Sequence, residues 1–152
     1  YRRRDFGHMD IEVTLTDQLD LGDRLELISY APRSTSLALQ RDSEVLLLLI
    51  PDAGGRGKGV LSGKVFEYIA AGRPILAVVP PDGAAADLIR ETGAGIVAPP
   101  DDVDAIRGAL LELDRRFRHG GLPDVALSQE WHHKLARSAR VEETAELLRS
   151  LA

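Results

Sequence analysis

Lys64 and Glu67 stand three residues apart in the stretch Ser62-Gly63-Lys64-Val65-Phe66-Glu67-Tyr68-Ile69-Ala70-Ala71-Gly72. On a helix that spacing puts the ammonium and the carboxylate on one face. Just upstream lie Gly54, Gly55, Gly57 and Gly59, interleaved with Arg56 and Lys58. Two readings follow. In the first, Lys64 and Glu67 form an exposed ion pair, worth less than about 1 kcal/mol. In the second, a helix start preceded by a glycine-rich approach offers amide donors, a positive dipole end and a cation to a diphosphate. Glu67, about one turn into the helix, could then accept hydrogen bonds from ribose hydroxyls. Residue chemistry alone does not choose between the two.

Better-known arrangements fail on spacing. A phosphate-binding loop ending at Gly63-Lys64 needs glycine where Lys58 stands and a hydroxyl residue where Val65 stands. A dinucleotide fingerprint begun at Gly57 and Gly59 needs a third glycine at Ser62. A phosphoacceptor site of receiver type is a poor fit, because Asp52 follows Pro51 without an accompanying acidic pair. His132 and His133 are adjacent and so face different sides of a helix, while neither His8 nor His119 brings a neighbouring pair of ligands. No metal is expected. No Gly-x-Ser-x-Gly nucleophile elbow occurs, and the sequence assigns no catalytic residue.

The elements that must position these groups read as alternating strand and helix. Apolar residues between Asp10 and Leu21 begin with a strand's period and end nearer a helix's, with helix favoured. After a turn at Gly22-Asp23, Leu25 to Ile28 alternates as a short strand. Ser34 or Thr35 is placed to cap a helix running to about Arg41. Glu44 to Ile50 reads as a strand buried on both faces, as in the middle of a parallel sheet. Pro51 to Gly63 is expected to be a mobile, positively charged loop, too glycine-rich to pack. Ser62 then caps a helix whose core face is Val65, Phe66, Ile69 and Ala70, stopped by Gly72-Arg73-Pro74. A strand from Ile75 to Val79, a helix from Ala84 to Thr92 stopped by Gly93, and a strand from Gly95 to Ala98 follow. Asp101 or Asp102 caps a further helix to about Arg115, and Arg116 to Pro123 links it to a last helix. That helix is best over Val141 to Leu151, with Ala145, Leu147, Leu148 and Leu151 as its apolar face. The order predicts an α/β fold, a doubly wound parallel sheet.

Composition sets the outer limits. The chain has 152 residues, 44% hydrophobic and 28% charged, enough for one domain with a core. A net charge of −5 and the absence of a basic stripe argue against nucleic-acid binding. There is no cysteine, hence no disulfide framework and no thiol nucleophile. The longest apolar run, Val45 to Ile50, is strand-sized, so no membrane span is expected. Residues 1–9, with Arg2, Arg3 and Arg4, read as a solvated tail or vector-derived segment. Residues 10–152 read as one domain cut from a longer chain.

The run Lys64-Val65-Phe66-Glu67-Tyr68-Ile69-Ala70-Ala71-Gly72-Arg73-Pro74-Ile75, followed by Glu91-Thr92-Gly93-Ala94-Gly95-Ile96-Val97, resembles the donor-binding domain of retaining nucleotide-sugar glycosyltransferases of the GT-B fold, family 4. The order from Gly22-Asp23-Arg24-Leu25 through Tyr30-Ala31-Pro32-Arg33 to Ser43-Glu44-Val45-Leu46 is also similar, so the resemblance covers roughly Leu21 to Leu113. It implies a Rossmann-like domain forming one half of a GT-B architecture, with an amino-terminal acceptor-binding domain in the same parent chain. The implied activity is transfer of a sugar from a nucleoside diphosphate donor with retention of configuration. The donor is a substrate, and no cofactor is implied. The implied location is cytoplasmic or, for the full-length protein, membrane-peripheral.

By the same resemblance Glu67 binds the donor ribose, and Ser62, Gly63 and Lys64 lie near the diphosphate and sugar. Tyr30 and Arg33 lie near the nucleobase, and the turn from Pro80 to Ala84, with Gly83, edges the pocket. The family commonly carries a second glutamate upstream, at the position of Gly59. It also opens its donor domain with a strand and a basic glycine loop, for which nothing before Gly22 supplies a copy. These two departures keep a second expectation in play: a noncatalytic domain of the same fold, a degenerate transferase half or a partner subunit.

Overall fold

The computed structural model describes residues 30–150, together with Arg24, Glu26 and Ile28. The chain divides into two units, residues 1–32 and Arg33–Ala152. The expected helix before Leu21 and the expected strand at Leu25 to Ile28 therefore lie outside the described residues, wholly or in part. The second unit is an α/β structure consistent with a Rossmann-like arrangement.

Its helix α1 spans Arg33–Asp42 and leads to strand β1, Leu46–Leu49. A 3-10 turn at Arg56–Gly59 precedes helix α2, Gly63–Ala71, and strand β2, Ile75–Val78. Helix α3, Ala84–Thr92, strand β3, Gly95–Ala98, and helix α4, Val103–Arg118, follow. Two more helices, α5 at Gln129–Leu135 and α6 at Arg137–Ser150, complete the described chain. The strands form one parallel sheet in the order β1-β2-β3, with Leu46 opposite Ile75 and Ile75 opposite Gly95. A side chain at Gly95 would collide with the Ile75 carbonyl oxygen, 1.9 Å from an ideal Cβ, so the strand pair closes only over glycine.

Strand alternation divides the core. Leu46, Leu48, Ile75, Ala77 and Val79 face Val65 and Ile69 of α2 and Ala85, Ala86 and Ile89 of α3. Leu76 and Val78 face Ala109 and Leu113 of α4 on the other side. The stop signals work as the sequence predicts: Gly72 and Gly93 end α2 and α3 with φ of 72° and 65°, in the left-handed region. Arg73, just past the first of these stops, ties three segments together. Its Nε donates to the Ser43 carbonyl at 2.6 Å, and its guanidinium pairs with Asp124 at 2.6 Å and Glu44 at 3.2 Å.

Four expectations need correction. Strand β1 is not buried on both faces: Leu46 and Leu48 are buried, but Leu47 and Leu49 are 52% and 63% exposed. Among the described residues β1 is an edge of the sheet, and α4 packs over β2 and β3 rather than over it. Helix α1 begins at Arg33, which puts Ser34 and Thr35 inside its first turn instead of at its cap. In α2 the core side is Val65 and Ile69, with Phe66 41% exposed and Ala70 exposed, because the helix rotates Val65 and Ile69 onto the sheet. In α6, Leu147 and Leu148 are exposed, Leu151 lies outside the described residues, and among the described residues Ala139 is the buried one.

Candidate functional site

Strand β1 runs into Ile50 and Pro51 at the carboxyl edge of the sheet, and the chain there does not wander. Asp52 Oδ2 accepts from the Gly55 amide at 2.9 Å, and the Asp52 carbonyl accepts from the Gly57 amide at 2.9 Å. Ala53, Gly54 and Gly55 all have positive φ, 49°, 70° and 84°, which turns the chain tightly into the 3-10 turn. Gly57 is buried at the centre: an ideal Cβ would sit 2.1 Å from the Pro51 carbonyl oxygen. The expected packing-poor loop is thus a built one, held by short-range hydrogen bonds and by the absence of a side chain at one crowded position. Arg56 Nε donates to the Ala53 carbonyl at 3.1 Å, which folds the arginine back over the turn.

The turn is latched to the next crossover. Lys58 Nζ lies 2.6 Å from Asp82 Oδ2. The hydrogen-bonded pair raises the lysine's pKa above its ordinary value and lowers the aspartate's. Gly83 is buried beneath this contact, where a Cβ would meet the Lys58 carbonyl oxygen at 2.9 Å. Its close approach seats the 3-10 turn on the start of α3.

Between this turn and the start of α2 lies a cavity of about 620 Å³. That volume suits a small-molecule ligand, and the position, outside the carboxyl end of a parallel strand, is where α/β sheets bind them. Leu49, Ile50, Pro51 and Val60 supply apolar surface, and Arg56, Ser62, Gly63, Lys64 and Glu67 supply the polar groups. Ser62 is the N-cap residue of α2, yet its hydroxyl makes no capping bond; its carbonyl instead accepts from the Val65 amide at 3.1 Å. The amides of the first turn are therefore not claimed by the cap side chain.

Glu67 has a partner that the sequence does not suggest. Its Oε1 lies 2.9 Å from Arg33 Nη1, at the first residue of α1, and no ion pair joins it to Lys64. Among the described residues Lys64 and Arg56 have no carboxylate partner. Of the groups expected at the site, Ser62, Gly63, Lys64 and Glu67 line one cavity and Arg33 reaches it through Glu67. Gly83 lies outside that lining, behind the turn. Tyr30 belongs to the other unit and is 81% exposed. Arg56 is the polar lining residue that the sequence reading leaves among generic loop charges; its position shortly after an apolar strand is the signal that could have singled it out.

A second cavity of about 680 Å³ opens at the opposite, amino edge of the sheet, beside Gly95, His119 and the end of α4. Arg115 and Arg116 line it, but both guanidiniums are held by Glu112, at 2.9 and 2.7 Å. These bonds, Arg115's foremost, lower the Glu112 pKa to about 2. Its larger volume thus comes with cations already engaged. Among the described residues no group of three or more metal-ligating side chains comes together, and no helix is long and apolar enough to cross a membrane. Compared with protein-family models, characterised proteins and solved structures, the chain matches none.

Proposed function

We propose that this chain is the nucleotide-sugar-binding half of a retaining glycosyltransferase of GT-B type, a doubly wound Rossmann-like domain paired in its parent with an amino-terminal acceptor-binding domain. The observation that carries the reading is the cavity at the carboxyl edge of β1, where Ser62, Gly63, Lys64 and Glu67 converge. Two cations without carboxylate partners and the start of a helix suit a diphosphate, and the glutamate suits the vicinal hydroxyls of a ribose. In the transfer reaction these donors would stabilise charge on the departing diphosphate. The apolar surface of Leu49, Ile50 and Val60 would exclude water from one side of the ligand.

Calorimetric titration of the chain with UDP and GDP tests this. One of the two binds, and Lys64→Ala and Glu67→Ala each weaken it by about tenfold, the loss expected for one charge-assisted hydrogen bond. Absence of binding by a folded sample would overturn the donor site. The second reading, a noncatalytic domain of the same fold, is favoured by Gly59, which stands exposed where the resembled family commonly has a carboxylate. It predicts that a folded sample binds neither nucleotide; binding that neither variant changes would instead make Lys64 and Glu67 bystanders.

A further inference from the structure

We infer that the exposed face of β1 and the cavity at its carboxyl end together bind a single-chain alkyl phosphate, with the phosphate at Arg56 and Lys64 and the chain laid along the strand. This goes beyond the nucleotide-sugar reading and does not rest on it. Alternate residues of a strand share a face. Leu46 and Leu48 are buried against α2 and α3, so Val45, Leu47 and Leu49 point to the other side of the sheet, the side that carries α4. There α4 packs over β2 and β3, and Leu47 and Leu49 stay open, 52% and 63% exposed. The apolar strip from Val45 to Leu49 is about 13 Å long, the reach of a medium-length alkyl chain.

Each end of the strip meets a cavity, and the two cavities differ in charge. At the carboxyl end Leu49 lines the cavity of about 620 Å³ together with Arg56 and Lys64, both without carboxylate partners among the described residues. Arg56 uses only its Nε on the Ala53 carbonyl, so among the described residues the outer nitrogens of its guanidinium have no partner. A phosphate monoester carries about two negative charges at neutral pH and has three terminal oxygens, which suits a guanidinium fork and an ammonium together. At the other end Val45 lines a cavity of about 240 Å³ with Leu110, Leu113 and Phe117 of α4. Its charged groups are the carboxylates of Glu44 and Asp114, already paired with Arg73 and Arg118. Among the described residues that end presents an anion with no free cation, whereas a hydrocarbon terminus finds apolar walls. The difference sets the ligand's direction, and covering Leu47 and Leu49 removes apolar surface of both partners from water.

The test is calorimetric titration of the chain with hexyl, octyl and decyl phosphate, each below its critical micelle concentration. Affinity rises by up to about fourfold for each added methylene, the increment for burying one. Leu47→Gln, at an exposed position, flattens that dependence on chain length while its thermal melt shows the fold intact. Arg56→Gln weakens decyl phosphate by about tenfold and reduces its salt dependence, and Arg56→Lys recovers part of the loss. Glu67→Ala does not weaken decyl phosphate, so failure of the nucleotide site leaves this one standing. Equal affinity for hexyl and decyl phosphate, or an unchanged length dependence in Leu47→Gln, would show that the strip is not used and overturn the proposal. So would equal binding of decyltrimethylammonium, which has the chain without the anion, and so would no binding of decyl phosphate by a folded sample. Sedimentation velocity of the unligated chain is expected to give a monomer; a dimer that Leu47→Gln dissociates would put a second copy on the strip and overturn the lipid site.

Discussion

At Gly57 the chain passes so close to Pro51 that a methyl group would lie 2.1 Å from a backbone oxygen and 3.1 Å from the ring of Pro80. Neither neighbour is the end of a flexible side chain, so the turn itself must shift. Gly57→Ala is expected to lower stability by about 1–3 kcal/mol in urea denaturation, the range for overpacking a crowded site. At Gly59, two residues on, a Cβ meets nothing within 4 Å, and Gly59→Ala is expected to be neutral or stabilising by less than about 1 kcal/mol. Equal losses at both positions would mean that glycine serves this loop by flexibility alone. Composition shows both residues as members of one glycine-rich stretch; only the approach of Pro51 separates them. The same limit applies to Glu67. Its spacing from Lys64 is visible in the sequence, but its ion pair with Arg33 joins α1 to α2 across the intervening strand β1 and 3-10 turn and depends on how those helices sit.

Two helix starts that look alike behave differently at the scale of the element. Asp102 accepts a hydrogen bond from the Ala105 amide at 2.8 Å and caps α4, whereas Ser62 makes no side-chain cap on α2. Asp102→Ala is therefore expected to destabilise the chain by about 1 kcal/mol. Ser62→Ala should change stability by less than about 0.5 kcal/mol, the usual size for a side chain without a structural bond. Thermal melts of the two variants check the contrast. A large loss from Ser62→Ala would assign that hydroxyl to the fold rather than to the cavity. The apolar side of α2 was only half legible. Val65, Phe66, Ile69 and Ala70 all fall within a helix's apolar arc, and nine residues do not say which edge of that arc meets the sheet. The stops at Gly72 and Gly93 were fully legible, because a left-handed residue after a helix is a local demand that glycine meets alone at low cost.

Across the whole second unit, the sheet separates neighbouring leucines that are indistinguishable in the run Leu46 to Leu49. Leu48 is 2% exposed between the sheet and its helices, so Leu48→Ala is expected to lower stability by about 2–5 kcal/mol in chemical denaturation. Leu47, 52% exposed, should lose less than about 1 kcal/mol on the same truncation. Comparable losses would show that the open face of β1 is covered in solution. The sequence by itself determined the alternation of strand and helix, the parallel sheet, the glycine stops and the helix start that carries Lys64 and Glu67. Each of these is set by local backbone preference and by the period of apolar residues, which act within a few positions of the chain. The tertiary structure alone decided that β1 is an edge among the described residues, with Leu47 and Leu49 exposed, that Glu67 pairs with Arg33, that Gly83 lies beneath Lys58, and that Arg56 joins the cavity wall. Those outcomes join segments far apart in sequence, and they depend on which surfaces are already covered when the segments meet.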